Sequence, residues 1–153
     1  MSDKAVSPPV VESISTIGVI GAGQMGSGIA HVCALAGYEV KLQDIAQGPL
    51  DKAVNTVSRN LDRQLQREKI TAEAKAAALA RISTCVSLED LSECDLVIEA
   101  ATEKEDVKRS IFQALCKSLK PSALICTNTS SISVTRLAAT SDRPERFMGM
   151  HFM

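Results

Sequence analysis

The sequence has no tryptophan, one tyrosine and three phenylalanines. That leaves too little aromatic surface for a base-stacking platform or a sugar-binding face. Net charge is −1, so the chain lacks the basic excess that draws a protein to nucleic acid or to an anionic membrane, and neither is expected as a partner. No apolar run reaches the roughly 20 residues that a membrane-spanning helix needs. The five cysteines, Cys33, Cys85, Cys94, Cys116 and Cys126, are odd in number and form no CxxC pair. A disulfide framework and a zinc site are therefore not expected, and a reducing, cytoplasmic setting is. Most of these thiols sit in apolar runs, where cysteine behaves as a small hydrophobe, and none reads as catalytic. Residues 1–13, MSDKAVSPPVVES, lack the charged start and apolar stretch of a secretory signal and are expected to form a frayed tail.

What is present is an ordinary globular balance. Hydrophobic residues make up 45% and charged residues 23% of 153 residues, enough for one domain with a real core. From Ser15 onward, short apolar strands alternate with amphipathic helices. Strands are predicted at Thr16–Ile20, Glu39–Gln43, Ile82–Cys85, Leu96–Glu99, Ala123–Cys126 and Phe147–Met150. Met25, Ile29, Val32 and Ala36 mark the core side of a first helix ending near Gly37. Pro49 is expected to open a long helix with Leu50, Val54, Val57, Leu61 and Leu65 as its stripe. Thr71 is placed to cap a short alanine-rich helix. Val107, Ile111, Leu115 and Leu119 mark another helix, stopped before Pro121, and Val134–Ala138 a short one. This alternation predicts a doubly wound α/β fold: a mostly parallel sheet, its strands buried on both faces by helices.

The strongest motif is Gly21-Ala22-Gly23-Gln24-Met25-Gly26, because it directly follows a predicted strand and opens a predicted helix. In that setting Gly21 permits the tight turn, Gly23 lets backbone approach a pyrophosphate, and Gly26 lets the helix pack close to the strand. The free N–H groups and the dipole at the helix start attract phosphate. Asp44 ends the second strand, about 20 residues on, as the Rossmann dinucleotide fingerprint requires. Its carboxylate suits the adenosine ribose hydroxyls and repels a 2′-phosphate, so NAD is expected rather than NADP. A turn aspartate is the plainer alternative.

Ligands of open α/β sheets lie beyond the carboxyl ends of the strands. There the fourth strand is followed by Ala101, Thr102, Glu103 and, one turn on, Lys108. The fifth is followed by Thr127-Asn128-Thr129-Ser130-Ser131, and the sixth by His151. Three polar clusters in succession, one with a histidine, suit hydride chemistry on an alcohol. A histidine can accept the hydroxyl proton, and a serine can hold the oxygen. Plainer alternatives are a surface histidine, a serine capping the helix at Val134, and an asparagine ordering its own loop.

GAGQMG with Asp44, then VIEAATEKEDVK, TNTSSISVT and RPERFMGMHFM resemble the 3-hydroxyacyl-CoA dehydrogenase family, and within it the bacterial 3-hydroxybutyryl-CoA dehydrogenase branch. The resemblance covers nearly the whole chain after the tail. It implies a Rossmann NAD-binding domain over residues 14–153, followed by a helical domain that dimerises and closes over an acyl-CoA substrate. It implies His151 as catalytic base and Ser130 at both the substrate's 3-oxygen and the nicotinamide. Gly21, Ala22, Gly23, Gln24, Met25, Gly26, Asp44, Ala101, Thr102, Glu103, Lys108 and Asn128 become cofactor contacts. The implied reaction is NAD-dependent interconversion of a (3S)-3-hydroxyacyl-CoA and a 3-oxoacyl-CoA. The acid that orients the family's histidine lies beyond Met153, so these residues alone are expected to turn over poorly. Arg59, Arg63 and Arg67 form a basic stripe on the long helix. The acyl-CoA of the family lies against that helix, which makes Arg67 a candidate substrate contact; a solvated helix face is the plainer reading. A dehydrogenase of free β-hydroxyacids and a non-catalytic NAD(H)-binding module remain as other readings of the same scaffold.

Overall fold

A computed structural model describes residues 13–152; the predicted frayed tail lies almost wholly outside them. Six strands, β1 (Thr16–Ile20), β2 (Glu39–Gln43), β3 (Ile82–Cys85), β4 (Leu96–Glu99), β5 (Leu124–Thr127) and β6 (Phe147–Gly149), form one sheet in the order β3-β2-β1-β4-β5-β6. Every neighbouring pair is parallel. This is the doubly wound Rossmann order, and it reverses direction between β1 and β4.

Helices α1 (Gln24–Leu35), α2 (Gln47–Gln66), α3 (Ala72–Arg81), α4 (Glu105–Cys116) and α5 (Val134–Ala138) cover the sheet. The strand pleat decides which core each residue joins. Leu96, Ile98 and Cys126 pack with Ile29, Leu50, Val57 and Ala78 beneath α1, α2 and α3. Val97 and Ile125 pack with Phe112, Leu115 and Leu137 beneath α4 and α5. On that side the rings of Phe112 and Phe147 meet edge to face at 4.9 Å. The central strands are thus buried on both sides, whereas edge strand β3 is half-exposed and β6 buries only Phe147.

Local chemistry sets the boundaries. Gly37, at φ 109°, ends α1. Its N–H reaches Ala34 O, and Tyr38 N–H reaches Cys33 O, a Schellman stop. Thr71 Oγ1 caps α3 by accepting from Ala74 N. Helix α2 begins at Gln47, ahead of the expected Pro49; that proline sits in the first turn, where no N–H needs an intrahelical partner. β5 runs one residue later than predicted at each end, and β6 stops one residue earlier.

Helix α1 buries a different face from the one predicted, whereas the α4 stripe buries Leu115 and Leu119 as expected, packs Ile111 against the same core and departs only at Val107. In α1 only Ile29 of the four expected core residues is buried; Met25, Val32 and Ala36 face outward. The buried side carries Ala30, Cys33 and Ala34, with Ser27 bonded to Gly23 O and His31 Nε2 lying 2.9 Å from Gln64 Oε1. In α4, Val107 is exposed and Lys108 is buried beside Phe112 and Leu115. Hydrophobic periodicity misses such faces because a polar side chain can enter the core when it is paired there.

Candidate functional site

The glycine loop is built by close packing. A Cβ on Gly26 would lie 1.6 Å from Gly21 O, and one on Gly21 would lie 2.7 Å from both Ala100 O and Ala101 Cα. Gly21 also takes φ 102°, a left-handed conformation that glycine adopts without strain. A Cβ on Gly23, in contrast, would meet nothing within 4 Å. Two glycines therefore close the turn, and the third keeps its outer side open.

Gly23 is the N-cap of α1, with no capping side chain and no acidic residue in the first turn. The first N–H groups of the helix are left for an anion. They border a cavity of about 830 Å³ lined by Ala22, Gly23, Gln24, Asp44 and Ala101, with Lys52, Thr56 and Asn60 on α2. Asp44 Oδ2 accepts from Ala22 N at 2.9 Å and Oδ1 from Ile45 N at 2.6 Å, which leaves lone pairs for ribose hydroxyls. An open backbone at Gly23, an uncapped helix start and a carboxylate at the next strand end fit the pyrophosphate and adenosine ribose of NAD.

The polar clusters after β4, β5 and β6 converge at the same sheet edge. Glu103 Oε2 accepts from Thr129 Oγ1 at 2.9 Å and Ser131 Oγ at 3.1 Å, gripping the residues on both sides of exposed Ser130. Ser130 does not cap α5; Ser133 does, accepting from Arg136 N. Asn128 is buried, and its Oδ1 accepts from Phe152 N at 3.1 Å, tying the β5 loop to the segment that carries exposed His151. Thr102 Oγ1 accepts from Lys104 N at the start of α4.

Several expected contacts sit elsewhere. Lys108 does not lie open at the cleft: its ammonium is wholly buried and donates to Glu99 Oε1 at 2.5 Å. Met25 is exposed beside the loop and does not line the cavity. Arg67, the candidate substrate contact, is the exposed C-cap residue at the far end of α2, and the polar α2 residues that line the cofactor cavity are Lys52, Thr56 and Asn60. Glu99 was not foreseen as a site residue. Its signal was an acidic residue closing an apolar strand, with a lysine nine residues on. Among the described residues no cluster of metal ligands occurs, the five cysteines are unpaired, and no helix is long and apolar enough to cross a membrane.

A family model described as the NAD binding domain of 3-hydroxyacyl-CoA dehydrogenase matches residues 16–153. A 3-hydroxybutyryl-CoA dehydrogenase of Bradyrhizobium diazoefficiens is 57% identical over 140 residues, covering 92% of this chain and 48% of that protein. A 3-hydroxyadipyl-CoA dehydrogenase of Escherichia coli is 41% identical, over 92% of this chain and 30% of that protein. The crystal structure of (S)-3-hydroxybutyryl-CoA dehydrogenase from Ralstonia eutropha superposes with a TM-score of 0.90 at 48% identity, over 92% of this chain and 50% of that one. The chain spans about half the length, or less, of these relatives.

Proposed function

The chain belongs to the 3-hydroxyacyl-CoA dehydrogenase family as its NAD-binding domain, and from that premise we propose that the protein it serves interconverts (3S)-3-hydroxyacyl-CoA and 3-oxoacyl-CoA. The substrate class is a short acyl-CoA, 3-hydroxybutanoyl-CoA first among them. The observation that carries this reading is the placement of Ser130 and His151 just beyond neighbouring strands β5 and β6, whose ends are tied by Asn128. Bound NAD supplies the hydride acceptor.

The chain's own residues supply position and proton handling. The amides at the start of α1 hold the pyrophosphate, and Asp44 holds the adenosine ribose. Ser130, kept outward by the grip of Glu103 on its two neighbours, hydrogen-bonds the substrate's 3-oxygen. His151 accepts the hydroxyl proton as the alcohol is oxidised and returns it in the reverse direction. Glu103, Thr102 and Asn128 border the nicotinamide side. We further propose a cytoplasmic enzyme that works as a homodimer, with surfaces beyond this domain completing the substrate site.

The test is a thioester and free-acid panel run on a polypeptide of the relatives' full length carrying this chain, beside its His151→Ala variant. Turnover of 3-hydroxybutanoyl-CoA with NAD, abolished in the variant while NADH affinity stays near wild type, is the expected result. Turnover of free acids alone would replace the reading with a β-hydroxyacid dehydrogenase. Tight NADH binding with no turnover of any substrate would leave a non-catalytic module.

A further inference from the structure

Glu99 and Thr127 are both fully buried at the carboxyl ends of adjacent strands, where the sheet core gives way to the cleft. The Glu99 carboxylate is shared among three elements. Oε2 accepts from Ala101 N at 2.8 Å, while Oε1 accepts from Thr127 Oγ1 at 2.8 Å and from Lys108 Nζ on α4. Its backbone O accepts from Asn128 N at 2.8 Å. One side chain therefore sets the exit of β4, the exit of β5 and the first turns of α4.

A buried ion pair is a poor way to gain stability, because well-packed apolar residues of the same volume are commonly neutral or better. What a satisfied buried network supplies is a fixed arrangement of the groups it joins. Those groups have a direction here. The pyrophosphate seat lies at α1 and the ribose carboxylate lies after β2. The other nucleoside must then run the opposite way along the sheet edge, across the ends of β4, β5 and β6. Ala101 and Asn128 are the parts of that edge whose backbone amides Glu99 holds, with Thr127 bonded to the same carboxylate and Ser130 two residues beyond Asn128.

We propose that Glu99 and Thr127 are positioning residues for the nicotinamide half of the cofactor, acting through the β5 exit and not through contact with it. The proposal rests on the reading of the chain as an NAD-binding domain. The hydroxyl of Thr127 sets the angle at which Asn128–Ser131 leave the sheet, and Glu103 completes the hold from the solvent side. The adenosine half, seated on the glycine loop and Asp44, does not depend on that angle.

The experiment compares Thr127→Val, nearly isosteric but without the hydroxyl, with Thr127→Ser, which keeps it. Affinities for NADH and for ADP-ribose, which lacks nicotinamide, are measured by calorimetry on the chain alongside its melting temperature. The valine variant is expected to bind NADH about tenfold more weakly, the scale of one lost charge-assisted hydrogen bond. ADP-ribose affinity should stay within about twofold of wild type, and the serine variant should restore NADH binding. If Thr127→Val melts below the assay temperature, Thr127→Ala is read in its place. Equal losses for both ligands would reduce the network to scaffold, and an unchanged NADH affinity would overturn the proposal outright. Failure of the wild type to bind NADH would instead strike the cofactor reading itself.

Discussion

Asp44 holds Ala22: the carboxylate at the end of β2 accepts the N–H of the second residue of the glycine loop at 2.9 Å. The same side chain thus shapes the pyrophosphate turn and offers an acceptor to the adenosine ribose. Asp44→Ala is expected to weaken NADH more than NADPH, because it removes a ribose acceptor and also the charge that repels a 2′-phosphate. The loss for NADH should be at least about tenfold, with a stability cost of about 1 kcal/mol for the freed amide. Fluorescence titration with both cofactors checks this, and an undiminished preference for NADH would assign discrimination to another residue.

The glycine loop yields a contrast between two alanine substitutions. Gly26→Ala drives a Cβ to 1.6 Å from Gly21 O, so the α1–β1 packing must shift and the variant should lose several degrees of melting temperature or fail to fold. Gly23→Ala meets nothing within 4 Å. It should fold with a melting temperature near wild type and still lose NADH affinity, since the methyl occupies the path of the pyrophosphate. A Gly23→Ala variant that binds normally would move the phosphate off the loop.

The sheet was readable from the sequence because strands with apolar residues on both faces need no partner information: Leu96, Val97 and Ile98 are buried whichever way they point. The cofactor end was readable because Gly21, Gly23, Gly26 and Asp44 meet backbone requirements at fixed spacing. Helix faces were less so. Burial of Lys108 depends on Glu99, and burial of His31 accompanies Gln64 across helices, pairings that no local period encodes. Arg143 is the same case. Its guanidinium is buried and donates to Leu119 O and Lys120 O after α4, and to Ala123 O before β5, a clasp invisible until those carbonyls converge.

The thiols divide by burial. Burial pushes Cys126 up to about 12 and Cys94 up to about 11, the latter despite nearby Lys41 and Lys120. Neither forms a thiolate at pH 8, and the thiolate is the reactive species. A disulfide reagent at pH 8 should leave both unmodified in the native chain and titrate all five cysteines in denaturant. Fast native labelling of Cys126, located by peptide mapping, would contradict the packing of β5 between its two cores.

Asp95 lies at the opposite end of the sheet from the cleft and joins three segments. Its carboxylate accepts from Lys120 Nζ at 2.6 Å, from Ser15 N and Thr16 N at 2.8 and 3.0 Å, and from Ser15 Oγ. The Lys120 ammonium first, then these amides, hold its pKa well below the usual carboxylate range. The native state therefore keeps an anion that the unfolded chain protonates below about pH 4. The stabilisation is complete above that value and drains away as pH falls further, toward the depressed native pKa. The side chain is 23% exposed, so solvent screens the interaction only in part. Asp95→Asn should be less stable than wild type by about 1–2 kcal/mol at pH 7. The gap should narrow at pH 3, and NADH affinity at pH 7 should be unchanged because the substitution lies away from the cleft. Urea melts at the two pH values decide it: a gap of constant size would mean that the charge of Asp95 contributes nothing, and only its hydrogen-bonding shape matters.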